Sequence, residues 1–462
     1  MKKMAGLALL IGAALASGCN SSNDSDNRTD TTPKNVIFFL GDGMGITTLT
    51  ASRIYSVGEE GSLTLDTLPE SAFIKTFSHD AQVTDSAPSM SAYMTGVKSN
   101  NGVIAMDGDA TQQDDCTQSA GKGVTTLLEL AKQAGRATGV VTTTRVTHAT
   151  PAATYAHLCN RDLENDIAAQ LVPGGAGYNA ALKDGVDVVL GGGSRHFLPE
   201  SEQGKRRDGR NLITEMQAQG YQYVSNESEL KAASGDKKLL GLFGSSHMNY
   251  ELDRQSGEPS LAEMTVSALS RLTSNPKGYF LMVEGGRIDH ALHDTNAKRA
   301  LVDTIAFDDA IKAALDEVKK SDPELKHTLI VVTADHDHTL VLNGYAKRTG
   351  KTRADNPGVL GLVKSYSDGT PTLDKQGNPY TIIGFGNGHN RVEGPRQSLD
   401  EATVSADDYA QEAAVRISDV AGSETHGGTD VFLGAIGLGA EGFHGSMDNT
   451  AVFTTVKRAA GL

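Results

Sequence analysis

The sequence predicts an α/β protein with a doubly wound, mainly parallel central sheet, helices on both faces and surface insertions. Short apolar runs typical of buried strands alternate with longer stretches of helical periodicity, which favours a parallel sheet. The helical pattern is clearest over residues 295–319, where Ala300, Ile305, Ile311 and Leu315 recur at helical spacing. Several apolar runs end in acidic residues or histidine. Residues that follow parallel strands lie at one edge of a sheet, where ligands bind.

The secondary structure elements can be placed approximately along the chain. Strands are predicted at 35–40, 137–143, 187–190, 279–284, 327–333 and 380–386, and helices near 87–96, 123–134, 262–273, 295–319 and 406–418. A weaker apolar run surrounds Phe73 and Ile74, and a late one covers Val431, Phe432 and Leu433. The polar, turn-rich stretches 195–260 and 341–403 are interpreted as insertions that form surface loops or small accessory elements.

The N-terminus has the features of an export signal. Lys2 and Lys3 precede an apolar stretch that is too short to span a bilayer, which predicts a signal peptide over residues 1–18. The segment 15–19 resembles the cleavage box of bacterial lipoproteins, with Cys19 as the lipidated residue, and ordinary cleavage near the same point is the alternative. Residues 19–34 are predicted to form a polar tether and residues 35–462 the folded domain. We therefore expect an exported protein in the periplasm or at the outer membrane, attached to membrane only through this lipid.

Charge and cysteine content narrow the possible partners. The 42 Lys and Arg residues against 57 Asp and Glu residues give a net charge of −15, which argues against nucleic acid as a partner. Small phosphorylated substrates remain compatible with this charge, because a local metal cluster can reverse the field. If Cys19 carries lipid, Cys116 and Cys159 are left, and either a disulfide or two buried thiols would fit.

Two groups of residues have the composition of metal sites. Asp289 and His293 are four residues apart, so a helix would place both on one face, and their donor atoms suit zinc. Glu284 precedes them at a predicted strand end, and His426 follows much later in the chain.

The second group combines Asp42 with Asp335 and His336. The glycines around Asp42 lack the Lys-Ser/Thr of a phosphate-binding loop, so they are interpreted as letting the backbone approach ions that Asp42 holds. A strand-to-helix turn with a capping Asp42 is the structural alternative.

A candidate nucleophile and a phosphate-binding arginine also stand out. Pro88 fits the first turn of a helix, which would place Ser86 at the helix N-terminus, where a phosphate is favoured. No nucleophile elbow surrounds Ser86, so activation by metal is favoured, and an ordinary N-cap serine is the alternative. Arg161 could match two phosphate oxygens in a fork. The Thr150 hydroxyl suits magnesium, and His148 lies beside it. His247 and five other histidines are interpreted as structural or exposed, and Asp337 and His338 receive no role.

Together these motifs resemble the alkaline phosphatase family over nearly the whole chain after the tether. The resemblance is carried, in family order, by the segments 35–45, 84–89, 140–152, 283–290, 333–336 and 424–428. It implies that residues 35–462 are a catalytic domain, with 341–403 as a crown-like insertion. It also implies hydrolysis of phosphate monoesters to alcohol and inorganic phosphate through a phosphoserine at Ser86, with Arg161 as the phosphate clamp, in a homodimer.

The resemblance further implies two zinc ions and one magnesium ion. One zinc would be held by Asp289, His293 and His426, and the second by Asp42, Asp335 and His336. The magnesium would be held by Asp42, Thr150 and Glu284, and His148 is counted with the metal ligands. His148 and His290 stand where some bacterial members carry Asp and Lys. Histidines at these positions match the animal-type pattern, so the magnesium affinity and the pH optimum of the bacterial type cannot be carried over to this chain. Gly244 stands where animal members carry a calcium-ligating acid, which puts a calcium site in doubt.

Three other functions fit part of the pattern. A sulfatase of the same superfamily would need an arginine where Met90 follows Ser89. A phosphodiesterase could use the same metals, although Arg161 favours a dianionic monoester. A lipoprotein that binds phosphate or metal without turnover would need the ligands but no nucleophile at Ser86.

Overall fold

The described part of the chain is dominated by one large sheet. The computed structural model describes residues 34–462, so the predicted signal peptide and nearly all of the predicted tether lie outside the described residues. Across residues 34–462, no helix combines the length and the apolar character needed to cross a bilayer. The strands are β1 (Asn35–Gly41), β2 (Glu70–Lys75), β3 (Ala137–Arg145), β4 (Val188–Gly192), β5 (Gln222–Val224), β6 (Leu239–Leu242), β7 (Tyr279–Gly285), β8 (Thr328–Ala334), β9 (Asp337–His338), β10 (Leu340–Leu342), β11 (Ile383–Gly388), β12 (Ala413–Arg416), β13 (His426–Gly427), β14 (Val431–Gly437) and β15 (His444–Asp448).

The large sheet is mainly parallel. Its strand order is β15-β2-β14-β8-β1-β7-β3-β4-β6-β5. Neighbours from β8 to β5 pair in parallel, whereas β14 is antiparallel to both β8 and β2. The central strands β1, β7 and β8 are almost wholly apolar and buried along their length, as expected for strands covered on both faces. The predicted fold class is confirmed.

The described residues also form helices, which are α1 (Ile46–Val57), α2 (Ser86–Thr95), α3 (Leu127–Gln133), α4 (Ala149–Ala152), α5 (Glu164–Ala169), α6 (Leu212–Ala218), α7 (Glu227–Ala232), α8 (Leu261–Leu272), α9 (Arg287–His293), α10 (Ala297–Val318), α11 (Glu401–Val404) and α12 (Asn449–Ala460). Eight of them form two groups with contacts inside each group, one of α1, α8, α9 and α10 and the other of α2, α3, α4 and α12. Members of both groups contact strands of the large sheet.

Local sequence explains where the principal helices begin. Helix α8 starts with a capping box, in which the Ser260 hydroxyl accepts from the Glu263 N–H and the Glu263 carboxylate accepts from the Ser260 N–H. Asn296 caps α10 through its side chain, which accepts from the Arg299 N–H. Both helices bury an apolar stripe, and they pack against each other and against the central strands.

Strand register brings three acidic residues to one edge of the sheet. Gly41 at the end of β1 pairs with Gly285 of β7 on one side and with Ala334 of β8 on the other. The residues at these strand ends, Asp42, Glu284 and Asp335, are therefore neighbours. Parallel pairing of three consecutive central strands is what assembles the acidic centre.

Two stretches differ from the sequence prediction. The interval 195–260 was expected to be an insertion, but it supplies β5 and β6, the outer strands of the large sheet. The prediction of a helix near 406–418 was wrong, because residues 413–416 form β12, which pairs in parallel with β11. The interval 341–403 does form an accessory region, in which β10 and β11 join β12 in a separate three-stranded sheet.

The two cysteines of the folded domain are bonded to each other. Cys116 and Cys159 form a disulfide with their Cα atoms 5.4 Å apart, which confirms the first of the two sequence alternatives. Cys159 is fully buried in a small cluster with Val103, Met106 and Ala110.

Candidate functional site

The centre of the candidate site is the acidic group at the sheet edge. Asp42, Glu284 and Asp335 are fully buried. The Gly43 N–H donates to Oδ1 of Asp335 at 3.0 Å, which ties the turn after β1 to the end of β8. Gly43 has a φ of +67°, and a Cβ there would lie 2.5 Å from Nε2 of His338, so this turn requires glycine. The glycines thus let the backbone come close to the ligand-bearing segments.

The predicted group of Asp42, Asp335 and His336 is assembled in the structure. Nε2 of His336 lies 3.3 Å from Oδ1 of Asp42 and 3.4 Å from Oδ2 of Asp335. One donor atom from each of the three residues lies within 4.8 Å of the others. Although burial opposes protonation, the Asp335 and Asp42 carboxylates raise the pKa of His336 to about 9.

The predicted group of Asp289, His293 and His426 is also brought together. Asp289 and His293 lie on α9, which confirms that the stretch is helical, and His426 lies on β13. Oδ1 of Asp289 is 3.3 Å from Nε2 of His293 and 3.5 Å from Nε2 of His426. The two imidazole Nε2 atoms are 3.2 Å apart.

Asp42 also faces a third group. The Thr150 hydroxyl donates to Oδ2 of Asp42 at 3.2 Å, and Glu284 and His148 present donor atoms within 4.8 Å of Asp42 and of each other. Glu284 accepts from the Thr142 hydroxyl and from the Thr144 hydroxyl, the latter at 3.1 Å. Burial and the nearby Asp42 charge raise the pKa of Glu284 well above its ordinary value.

Ser86 lies at the start of α2, against these groups. Its Oγ is 3.3 Å from Oδ1 of Asp42 and 3.2 Å from Nε2 of His336, and the residue is 2% exposed. Asp85 is the N-cap residue of this helix but makes no side-chain cap bond, because its carboxylate is used elsewhere. Ser86 is therefore the first residue of the helix, where free backbone N–H groups favour an anion.

Arg161 lies beside Ser86 and is held by two contacts. Its Nη1 pairs with Oδ1 of Asp85, and its Nη2 donates to Nε2 of His148 at 3.1 Å. Oδ2 of Asp85 accepts from the Gly102 N–H at 2.9 Å, and the Gly102 carbonyl accepts from the Arg161 N–H at 2.8 Å. The guanidinium is thus oriented at the site by Asp85 rather than free on the surface.

The residues present fit divalent cations. Among the described residues, Oε1 of Glu284, Oδ2 of Asp335 and Nδ1 of His148 are buried without a hydrogen-bond partner. Burial and the charge of Asp42 raise the pKa of Asp335 as well as that of Glu284. Several carboxylates so close together in a buried site need compensating positive charge, and bound cations would provide it.

Sequence reasoning did not find every residue of this site. His338 was given no role from the sequence. Its Nε2 lies 2.8 Å from Oδ1 of Asp289, and its Nδ1 lies 2.5 Å from Oε2 of Glu424. His247, interpreted as structural or exposed, instead groups with His148 and His290. The repeated Asp-His pattern at 335–338 was a signal for His338, whereas nothing local marks His247.

Carboxylate and imidazole clusters thus line a buried edge of the parallel sheet, around a serine at a helix N-terminus. This arrangement is typical of a metal-dependent hydrolase. The model of the alkaline phosphatase family matches residues 33–462, so the chain belongs to that family. The rat tissue-nonspecific alkaline phosphatase is 39% identical over 446 residues, covering 89% of this chain and 80% of the relative. The membrane-bound alkaline phosphatase of Bombyx mori is 38% identical over 457 residues, covering 91% and 78%.

A solved structure gives the same picture. The alkaline phosphatase of Thermus thermophilus matches with a TM-score of 0.67 and 28% identity, covering 93% of this chain and 92% of that one. The chain is therefore an alkaline phosphatase, a metal-binding hydrolase of phosphate monoesters. The sulfatase and phosphodiesterase alternatives are not favoured, since the match to this one family runs through the whole folded domain.

Proposed function

We propose that the chain hydrolyses phosphate monoesters through a phosphoserine formed on Ser86. The observation that carries the proposal is the position of Ser86 Oγ, 3.3 Å from Asp42 and 3.2 Å from His336 at the start of α2. A serine that only caps a helix is not expected to contact a buried carboxylate and a buried imidazole. The non-catalytic alternative is disfavoured by the same contacts.

Three ions are proposed, in keeping with the donor atoms of each group. Asp289, His293 and His426 would hold one zinc, and Asp42, Asp335 and His336 the second, because nitrogen and carboxylate donors suit zinc. Asp42, Thr150 and Glu284, with His148 beside them, would hold magnesium, which prefers oxygen donors. The bound ions would supply positive charge that favours the ionised Ser86 hydroxyl and offsets charge on the phosphoryl oxygens.

The chain's own residues then account for the two steps. Ser86 Oγ attacks phosphorus, the bond from phosphorus to the substrate oxygen breaks, and the alcohol leaves with a proton. Water next attacks the phosphorus on Ser86 and the Oγ–P bond breaks. Inorganic phosphate is released, and the serine hydroxyl is regenerated. The guanidinium of Arg161 and the N–H groups at the start of α2 orient the phosphoryl oxygens in both steps.

The first experiment measures p-nitrophenyl phosphate hydrolysis by the purified enzyme, by Ser86→Ala and by a matched control, Ser446→Ala, whose serine is exposed on the edge strand β15. Each protein is assayed before chelation, after chelation, and after zinc and magnesium are restored. We expect chelation to abolish hydrolysis, restored metal to recover it, and Ser86→Ala alone to lose most of it. Full activity in metal-replete Ser86→Ala would refute the nucleophile.

The intermediate itself can be trapped. Acid quenching during turnover of a labelled monoester should leave phosphate on the wild-type chain at the peptide containing Ser86. Ser86→Ala should carry no label, and Ser446→Ala should carry as much as the wild type. Label at another residue would replace Ser86 as the nucleophile.

The proposal extends to location and assembly. Export is supported by the signal-like N-terminus and by the description of the Bombyx mori relative as membrane-bound. Lipidation at Cys19 predicts that the mature enzyme partitions into detergent and that Cys19→Ala releases it in soluble form. A homodimer predicts a sedimentation mass of about two chains, and a single-chain mass would refute it.

A further inference from the structure

Three histidines form a cluster beside the proposed magnesium group. His148 follows β3, His290 lies on α9, and His247 lies in the loop between β6 and α8. Their ring centroids are 5.2 Å (His148–His247), 5.4 Å (His148–His290) and 4.3 Å (His247–His290) apart. One nitrogen from each ring lies within 4.8 Å of the other two, and no carboxylate belongs to this set.

Each of these rings is contacted by an arginine. Arg161 donates to Nε2 of His148 at 3.1 Å, and Arg287 donates to Nδ1 of His290 at 2.8 Å. The side chain of Arg145 contacts Nε2 of His247. An imidazole nitrogen that accepts from a guanidinium carries a lone pair, so the rings face these donors in the neutral form that binds metal.

Two of the rings have nitrogens that the protein leaves mismatched. Nδ1 of His148 is buried with no hydrogen-bond partner. His247 is approached at both nitrogens by donors of Arg145, the backbone N–H at 3.3 Å and the side chain. A neutral imidazole accepts at only one nitrogen, so these donors cannot both be satisfied.

The arginines have other partners when they withdraw from the rings. Arg145 donates from Nε to both oxygens of Glu164, at 2.7 and 3.0 Å. Arg161 is paired with Asp85, and the guanidinium of Arg287 lies 3.8 Å from the ring centroid of Tyr250. A cation that replaced the three guanidinium contacts would therefore leave Arg145 and Arg161 paired with carboxylates, and Arg287 with its cation–π contact to Tyr250.

We infer that His148, His247 and His290 form a three-imidazole site for a borderline divalent cation, zinc in particular. Nitrogen-only donors favour zinc over magnesium, whereas the neighbouring oxygen donors of Asp42, Thr150 and Glu284 favour magnesium. His148 also lies within 4.8 Å of donor atoms of Asp42 and Glu284, so an ion in the three-histidine site would lie close to the proposed magnesium group. Zinc in the three-histidine site should therefore weaken magnesium binding next to it, a consequence that rests on the proposed magnesium group.

Metal content tests the inference directly. The wild-type enzyme, His247→Asn and the control His327→Asn, whose histidine is exposed before β8, are equilibrated with zinc and magnesium together and desalted. Metals are then counted by mass spectrometry. We expect His247→Asn to hold about one fewer zinc ion per chain than the other two proteins and to keep its magnesium as zinc is raised. Equal zinc content in wild type and His247→Asn would overturn the inference.

Cobalt gives a second readout that does not depend on turnover. The visible spectrum of the cobalt-loaded wild type should contain absorption bands that His247→Asn and His247→Gln both lack. Circular dichroism checks that both variants are folded. Identical cobalt spectra in all folded proteins would overturn the site. If Ser86→Ala keeps full hydrolysis, the proposed function fails, but a zinc difference at His247 still supports the three-histidine site.

Discussion

His338 holds Asp289 in place through a buried chain of contacts that ends at Glu424. Nε2 of His338 is 2.8 Å from Oδ1 of Asp289, and its Nδ1 is 2.5 Å from Oε2 of Glu424. The other Glu424 oxygen accepts from the N–H and the hydroxyl of Thr339, at 2.8 and 2.5 Å. Although burial opposes protonation, Glu424 and Asp289 raise the pKa of His338 to about 10. His338 is thus a positioning residue for a proposed zinc ligand.

Loss of this contact should weaken the zinc held by Asp289. We expect His338→Gln and Glu424→Gln to lower zinc affinity roughly 10- to 100-fold, as is typical when the partner of a metal ligand is removed. Competition with a chromogenic chelator measures the affinity, and His327→Gln serves as the control. Unchanged zinc affinity in His338→Gln would show that Asp289 does not depend on it.

Loss of the Arg161 guanidinium should weaken the binding of phosphate monoesters and of inorganic phosphate. A charge-assisted hydrogen bond contributes about 1.5–3 kcal/mol, so Arg161→Ala should lower kcat/KM roughly 10- to 100-fold for a dianionic monoester and weaken inhibition by inorganic phosphate. Arg161→Lys should recover part of this loss, because lysine keeps the charge but not the fork.

The partner Asp85 provides the matched test. Asp85→Asn keeps the shape of the side chain but removes the charge that orients the guanidinium, so we expect a smaller loss in the same direction. Steady-state kinetics with p-nitrophenyl phosphate, with phosphate as inhibitor, measures all three variants. An Arg161→Ala enzyme with unchanged phosphate inhibition would refute the clamp.

The disulfide should stabilise the fold more than it affects the chemistry. Cys116 and Cys159 are 43 residues apart, and closing a loop of that size removes about 3–4 kcal/mol of chain entropy from the unfolded state. We expect the Cys116→Ser, Cys159→Ser double variant to unfold at lower temperature, measured by differential scanning fluorimetry. The single variant Cys116→Ser should lose as much, since either change breaks the bond. A double variant as stable as the wild type would contradict this account.

The parts of the fold that followed from sequence are those with strong local patterns. The buried strands β1, β7 and β8 contain continuous apolar runs, β3 contains the shorter run Val140-Val141, and α8 and α10 have clear helical periodicity. The edge strand β5 and its neighbour β6 were missed because they are three and four residues long within a polar stretch. The segment 413–416 is a strand because β11 pairs with it, and pairing between distant segments cannot be read from local propensity.

The same distinction applies to the site. Strand ends predicted that Asp42, Glu284 and Asp335 would meet, because parallel topology alone brings them to one edge. His338 depends on contacts with Asp289 and Glu424, 49 and 86 residues away in the chain. His247 is 102 residues from Arg145, which contacts it. Contacts over such distances in the chain cannot be predicted from local sequence, even though the repeated Asp-His pattern at 335–338 was a local signal for His338.

Asp303 should make stability depend on alkaline pH. The carboxyl is buried on α10, where Oδ2 accepts from the Glu251 N–H at 3.1 Å. Burial, with the charges of Glu251 and Asp253, raises its pKa to about 8 despite the attraction of Arg287. An acid whose pKa is raised by folding holds its proton in the folded state after the unfolded chain has lost it. Stability therefore falls as pH rises from the unfolded pKa to about 8, and the full cost remains above that.

Asp303→Asn removes this cost while keeping an oxygen that can accept from Glu251. We expect the variant to gain less stability at pH 5 than at pH 9, with the difference growing by about 1.4 kcal/mol per pH unit up to about pH 8 and no further above it. Apparent melting temperatures across that range measure the effect, and Asp316→Asn on the exposed face of the same helix is the control. If Asp303→Asn were less stable than the wild type at pH 9, the ionised carboxylate would instead be a stabilising partner of Arg287.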